Sequence, residues 1–128
     1  MIYLDTSVLL ARLFAEGRCP PDALWSEPLV SSRLLEFEAF NRINARAAAA
    51  THGADARRLI ARVGLLELAP EVLARAMLPF PLPVRTLDAL HLATMDFLRA
   101  HGQTLQLASY DQRLCTAALA LGFASAAI

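Results

Sequence analysis

The chain has 128 residues, and its 12 basic residues, all Arg and none Lys, balance 12 Asp and Glu, so bulk electrostatics does not hold it to nucleic acid. Although 56% of it is hydrophobic and the mean hydropathy is +0.42, charged residues interrupt every apolar stretch short of the roughly 18 residues a membrane span needs. One domain over residues 1–128 is expected, and chemistry that requires an active-site lysine is excluded.

Met1–Leu4 is a short apolar run that reads as a buried strand, and Val8–Phe14 reads as the start of an amphipathic helix. Asp5 therefore falls at a strand-to-helix junction, a place for a helix cap and equally a place for a site at the carboxyl end of a sheet. Residues 19–27 predict a turn and short helix, and 28–32 a second strand. A long helix is expected over 33–50, broken at His52 and Gly53, with another helix over 54–63. A third strand follows at 65–69, and Pro70 opens a helix over 70–77. Prolines 79, 81 and 83 make 78–84 a rigid loop. A helix over 85–100 with Thr86 as its cap, a strand over 104–108, a helix over 109–122 closed by Gly122 and a last strand over 123–128 complete the chain. Strands alternating with helices predict an α/β fold, a mostly parallel central sheet with helices on both faces.

Three aspartates share one kind of address. Asp5 follows the first strand, Asp88 lies in the first turn of the helix over 85–100, and Asp111 stands where the 104–108 strand gives way to a helix. The partial positive charge of a helix N-terminus keeps such acids ionised, which suits cation binding and suits plain helix stability equally. In the long helix Glu38, Asn41, Arg42 and Ala45 fall on one face beside the apolar stripe of Phe37, Phe40 and Ile43. Glu36 shares a face with Phe40 and Ile43, and periodicity alone leaves the choice between Glu36 and Glu38 open.

The segments YLDTSVLL, SSRLLEFEAFNR, RTLDALHLATM and SYDQRL, in that order over nearly the whole chain, resemble the PIN domain family, and within it the single-domain VapC-type toxins of toxin–antitoxin pairs. The resemblance selects Glu38 over Glu36 and implies an acidic quartet of Asp5, Glu38, Asp88 and Asp111 as the catalytic and metal-binding residues. It implies cleavage of RNA, often transfer or ribosomal RNA, with Mg2+ or Mn2+ as one or two ions. Both metals prefer oxygen ligands, and the chain has no His/Cys cluster of the kind zinc requires. Water attacking in line at phosphorus would leave a 5′-phosphate and a 3′-hydroxyl.

Thr6 and Ser7 are then candidates for orienting the carboxylates, with helix capping as the other reading. His91, one turn after Asp88, is expected to be a packed histidine rather than a base. Arg42 and Arg46, and further off Arg57, Arg58 and Arg62, are candidate RNA contacts, with solvated helix faces as the alternative. Asp96 is left as a surface acid. A cognate antitoxin protein and a homodimer are implied as partners, with Leu9, Leu13, Phe14 and Trp25 as candidate dimer contacts. With no basic leader and no paired cysteine spacing, the protein is expected in the cytoplasm, with Cys19 and Cys115 as buried thiols. Haloacid-dehalogenase-type phosphatases require a second Asp where Ser7 stands, and receiver domains require a lysine. A housekeeping RNA-processing nuclease and a non-catalytic domain of the same fold are the remaining alternatives.

Overall fold

The computed structural model describes all of residues 1–128. Its centre is β1 (Ile2–Leu4), a strand with every residue buried. Ile2 and Leu4 join one apolar cluster with Val8, Leu9, Leu35 and Ile60, while Tyr3 joins the opposite one with Leu92, Met95, Leu107 and Leu114. That alternation is the period-two geometry of a strand covered on both faces, and it explains why β1 reads as unbroken hydrophobicity.

The remaining elements are α1 (Thr6–Leu13), a short 3-10 turn at Asp22–Ser26, β2 (Leu29–Ser32), α2 (Leu34–Ala45), α3 (Ala49–Ile60), β3 (Val63–Leu66), α4 (Pro70–Ala76), α5 (Thr86–Ala100), β4 (Gln106–Ala108), α6 (Gln112–Ala120) and β5 (Ala124–Ser125). The sheet is parallel throughout, in the order β3-β2-β1-β4-β5. The chain builds outward from β1 through β2 to β3, then returns to the other side of β1 with β4. The switch in direction lies between β1 and β4, where an open α/β sheet forms a crevice at its carboxyl edge.

The structure moves several expected boundaries. The long helix stops at Ala45, closed by Arg46, and the chain turns at Ala47 with a φ of 52° before α3 begins. No break occurs at His52 and Gly53; Gly53, Ala56 and Ile60 form the buried side of α3, so packing overrides the weak helix propensity of glycine. The third strand is Val63–Leu66 rather than 65–69, because it pairs in register with Leu29–Ser32 and β2 ends there. The last strand shrinks to two residues, paired only with Gln106 and Leu107 at the sheet edge. Thr86 is the first helical residue of α5, not its cap; Arg85 occupies the cap position and makes no side-chain cap bond. The helix expected over 109–122 starts at Gln112, because Asp111 caps it.

Leu9, Leu13 and Trp25 are buried in the core and so are not surface contacts for a second copy, and half-buried Phe14 packs against Arg46 and His52. Exposed apolar side chains lie elsewhere: Met77, Leu78 and Leu82 group around the proline-rich loop, and Phe37 and Leu119 stand out singly on α2 and α6. Both cysteines are free, Cys115 half-buried and Cys19 exposed rather than buried, since Cys19 sits in the loop between α1 and the 3-10 turn. No helix is long and apolar enough to cross a membrane.

Candidate active site

The carboxyl edge of the sheet at the β1/β4 switch opens into a cleft of about 770 Å3 whose lining includes Asp5, Glu38, Asp88 and Asp111. Three of the four acids are anchored in the same way. Asp5 caps α1 and receives hydrogen bonds at Oδ2 from Ser7 Oγ at 2.6 Å and Ser109 Oγ at 2.8 Å, while Oδ1 has no protein partner. Asp111 caps α6, and its Oδ1 accepts from the backbone N–H groups of Arg113 and Leu114 while Oδ2 has none. Glu38 Oε1 accepts from Thr6 Oγ1 at 3.0 Å and from His91 Nε2 at 2.6 Å, again leaving its second oxygen without a protein partner. Each anchored carboxylate thus spends one oxygen on the protein and keeps the other.

Asp88 differs. It stands in the first turn of α5 with no side-chain hydrogen bond from the protein. Burial raises its pKa above the ordinary aspartate value, and the charges of Asp111, Asp5 and Glu38 add to the rise against the smaller opposing effect of His91. For His91, burial alone would favour the neutral ring. The hydrogen bond and charge of Glu38, with Asp5 and Asp88 beyond, outweigh it and raise the pKa.

No three His, Cys, Asp or Glu side chains stand together as a ready-made metal cage. The donor set still fits a hard divalent cation: it is all oxygen, each anchored acid keeps one free oxygen, and four acids share one cleft whose mutual repulsion a cation would relieve. Mg2+ and Mn2+ sites of this kind take one or two carboxylates and fill the rest of an octahedron with water and phosphate oxygens, so a closed cage is not required.

The other expected residues divide. Thr6 and Ser7 hold Glu38 and Asp5 as described, and Ser7 also receives the backbone N–H of Tyr110 at 3.0 Å. Asn41 and Arg42 line the cleft. Arg46 does not: it pairs with Glu16 at 3.4 Å and lies over the Phe14 ring, because α2 turns it toward α1. Arg57 stacks on Phe40, Arg58 pairs with Asp55 and Arg62 donates to the Trp25 carbonyl, so none of the three reaches the cleft. Glu36 pairs with Arg33 at 3.3 Å outside the cleft. Asp96 bridges Arg75 and Arg99, and is a structural acid joining α4 to α5.

Sequence reasoning missed three residues and the Glu38 contact of a fourth, His91. Ser109 joins Asp5 to the β4 side of the cleft and also receives the Asp111 backbone N–H at 3.0 Å. Its position two residues before a capping aspartate was the available signal. His91 is packed as expected, yet it is also bonded to Glu38. Arg18 and Tyr110 line the cleft, the guanidinium 5.7 Å from the ring centroid, and no periodicity could have joined a loop residue to one 92 positions away.

A family model described as PIN domain matches residues 2–119. The chain is 37% identical over 131 aligned positions to the protein named Ribonuclease VapC46 of Mycobacterium tuberculosis (strain ATCC 25618 / H37Rv), an alignment covering 96% of this chain and 94% of that one. A solved structure described as a toxin–antitoxin complex from Klebsiella pneumoniae superimposes with a TM-score of 0.64 over 88% of each chain at 19% identity, a likeness of fold.

Proposed function

The chain belongs to the PIN domain family, and from that premise we propose that it is a divalent-metal-dependent endoribonuclease, a single PIN domain over 1–128 acting as the toxin of a toxin–antitoxin pair. The observation that carries the reading is the convergence of Asp5, Glu38, Asp88 and Asp111 on one cleft at the carboxyl edge of the sheet, three of them with one oxygen fixed and one free. In this reading the four acids hold Mg2+ or Mn2+, as one or two ions. What such a cation supplies when bound is neutralisation of the carboxylates and Lewis-acid activation of water for attack at phosphorus.

The residues around the acids supply the rest. Ser7 and Ser109 hold Asp5, and Thr6 and His91 hold Glu38, so little reorganisation is needed as charge develops. Arg42 and Arg18 put two guanidinium groups at a cleft that is otherwise acidic, where they attract and orient RNA phosphates. Without a cation the four negative charges would repel the same phosphates, which makes cleavage conditional on metal. The named relative supports RNA as the substrate class, and the toxin–antitoxin structure supports a cognate antitoxin. The exposed apolar side chains around the proline-rich loop support a homodimer contact there.

The test is incubation with total transfer RNA in Mg2+ or Mn2+ and in EDTA, with Asp5→Asn beside the wild type. Asn keeps a capping oxygen and removes the charge, so the variant should fold and not cut. Metal-dependent products ending in 5′-phosphate are expected. A 2′,3′-cyclic phosphate would refute the mechanism, since the RNA's own 2′-hydroxyl would then be the nucleophile.

A further inference from the structure

We propose that Tyr3 and His91 form a buried positioning relay that holds one oxygen of Glu38 and so presents the other to the divalent cation. The proposal rests on Glu38 being a metal ligand.

The relay runs from the sheet to the cleft. The Ser32 backbone N–H donates to Tyr3 Oη at 3.1 Å, Tyr3 Oη lies 2.8 Å from His91 Nδ1, and His91 Nε2 lies 2.6 Å from Glu38 Oε1. The direction of the last bond follows from chemistry. A carboxylate only accepts, so Nε2 carries a proton whether the ring is neutral or charged. In the neutral ring Nδ1 accepts the Tyr3 hydroxyl proton, and Oη is free to give it because it already accepts from Ser32. Tyr3 and His91 are buried at 0% and 1% exposure, so water does not compete at the hydroxyl or at the ring.

Packing alone does not call for a histidine here. Position 91 is followed on α5 by the buried Leu92 and Met95, and an apolar side chain of similar volume would suit the same layer. What it could not supply is a donor for Glu38. Thr6 Oγ1 donates to the same oxygen, so two donors from two helices converge on Oε1 and turn a flexible side chain into one with a defined free oxygen. Tyr3 anchors the far side of the ring to β1, the strand that also delivers Asp5. Glu38 and Asp5 are thereby referred to one rigid element although Glu38 sits on α2 and Asp5 caps α1.

The experiment measures Mn2+ binding to the full chain by the loss of the free-ion electron paramagnetic resonance signal, alongside kcat and KM for RNA, in the wild type, Glu38→Gln, His91→Met, His91→Gln and Tyr3→Phe. Partners behind metal ligands typically matter by about 10- to 100-fold in affinity. His91→Met should weaken Mn2+ binding by about tenfold or more and lower kcat with KM unchanged. His91→Gln, whose amide nitrogen still donates, should restore most of both. Tyr3→Phe removes only Oη and should weaken Mn2+ by a smaller factor, about threefold, which keeps the proposal testable if His91→Met does not fold. Wild-type Mn2+ affinity in folded His91→Met or in Tyr3→Phe, or Gln failing to rescue, overturns the relay alone, provided Glu38→Gln has lost affinity. Wild-type affinity in Glu38→Gln overturns the ligand reading itself and the relay with it.

Discussion

Asp88→Asn should make the metal-free protein more stable. Asp88 is half-buried, has no hydrogen bond from the protein, and shares its cleft with Asp5, Glu38 and Asp111. Like charges about 7 Å apart repel by about 0.8 kcal/mol at a dielectric of about 60, and physiological salt roughly halves that for an exposed site. Three acidic neighbours therefore amount to about 1 kcal/mol, with partial burial adding to it. The N-terminus of α5 opposes this by about 0.5 kcal/mol, since a helix start favours a carboxylate. The raised pKa says which side wins: burial and the neighbouring acids exceed the favourable terms. For a carboxyl whose folded pKa is raised, stability is present below the unfolded value and lost as pH rises through the folded one. The cost is thus fully expressed at pH 7 and absent well below 3.8, the ordinary aspartate value. A net relief near 1 kcal/mol corresponds to about 4 °C for a chain of 128 residues. The assay is a thermal melt in EDTA at pH 7, repeated with Mn2+. Metal at about 100 times its dissociation constant should raise the wild type by about 10 °C and the variant by much less. A variant that melts below wild type in EDTA, with both rising equally in Mn2+, would refute the reasoning.

Asp96 provides the opposite sign. Burial alone would raise its pKa, but hydrogen bonds and charge from Arg75 and Arg99 outweigh this and lower it, so its contribution is present above the ordinary aspartate range and is lost as pH falls through the folded value. Asp96→Asn should lower stability by about 1 to 2 kcal/mol at pH 7, with the difference from wild type closing on acidification below 3.8 in pH-dependent melts. Two glycines separate in the same assay. A Cβ on Gly53 meets only the Arg57 side chain at 3.6 Å in a helix interior, so Gly53→Ala should gain about 0.5 to 1 kcal/mol. Gly122 has a φ of +97° and would bring a Cβ within 3.2 Å of Arg99, so Gly122→Ala should cost more than about 1 kcal/mol.

The parts of the fold that were legible are those written in local chemistry. The apolar run Met1–Leu4 ending on Asp5, the proline at 70 opening α4 and the glycine at 122 behind α6 each state a boundary within a few residues. Boundaries set by distant partners were not legible. β3 ends at Leu66 because β2 ends at Ser32, and α3 runs through Gly53 because that face is buried. The site followed the same rule. Three acids at helix starts could be found from their neighbours in sequence, whereas the choice of Glu38 over Glu36 needed the family motif, and the structure separates them by their partners, His91 and Thr6 against Arg33. Arg18 and Tyr110 meet at the cleft only because the fold brings the loop after α1 to the end of β4, which no local pattern encodes.

Asp5 admitted two readings, a helix cap or a functional acid, and the structure shows why they do not compete. A carboxylate has two oxygens, and a cap uses one. Asp5 Oδ2 accepts the capping backbone N–H of Ser7 at 3.4 Å together with the Ser7 and Ser109 hydroxyls, and Asp111 Oδ1 accepts from the first turn of α6. In each case the capping bond fixes the side chain and the second oxygen faces no protein donor. The cap is therefore the device that orients the acid, and helix stability and cation readiness come from the same hydrogen bonds. Asp88 tests the argument by exception. It lies inside the first turn rather than at the cap, has no such bond, and is the acid whose pKa burial and its neighbours push up. Replacing a capping acid by alanine, which cannot cap, should thus disturb fold and site together, while replacing Asp88 by asparagine should separate them, gaining stability as metal binding is lost.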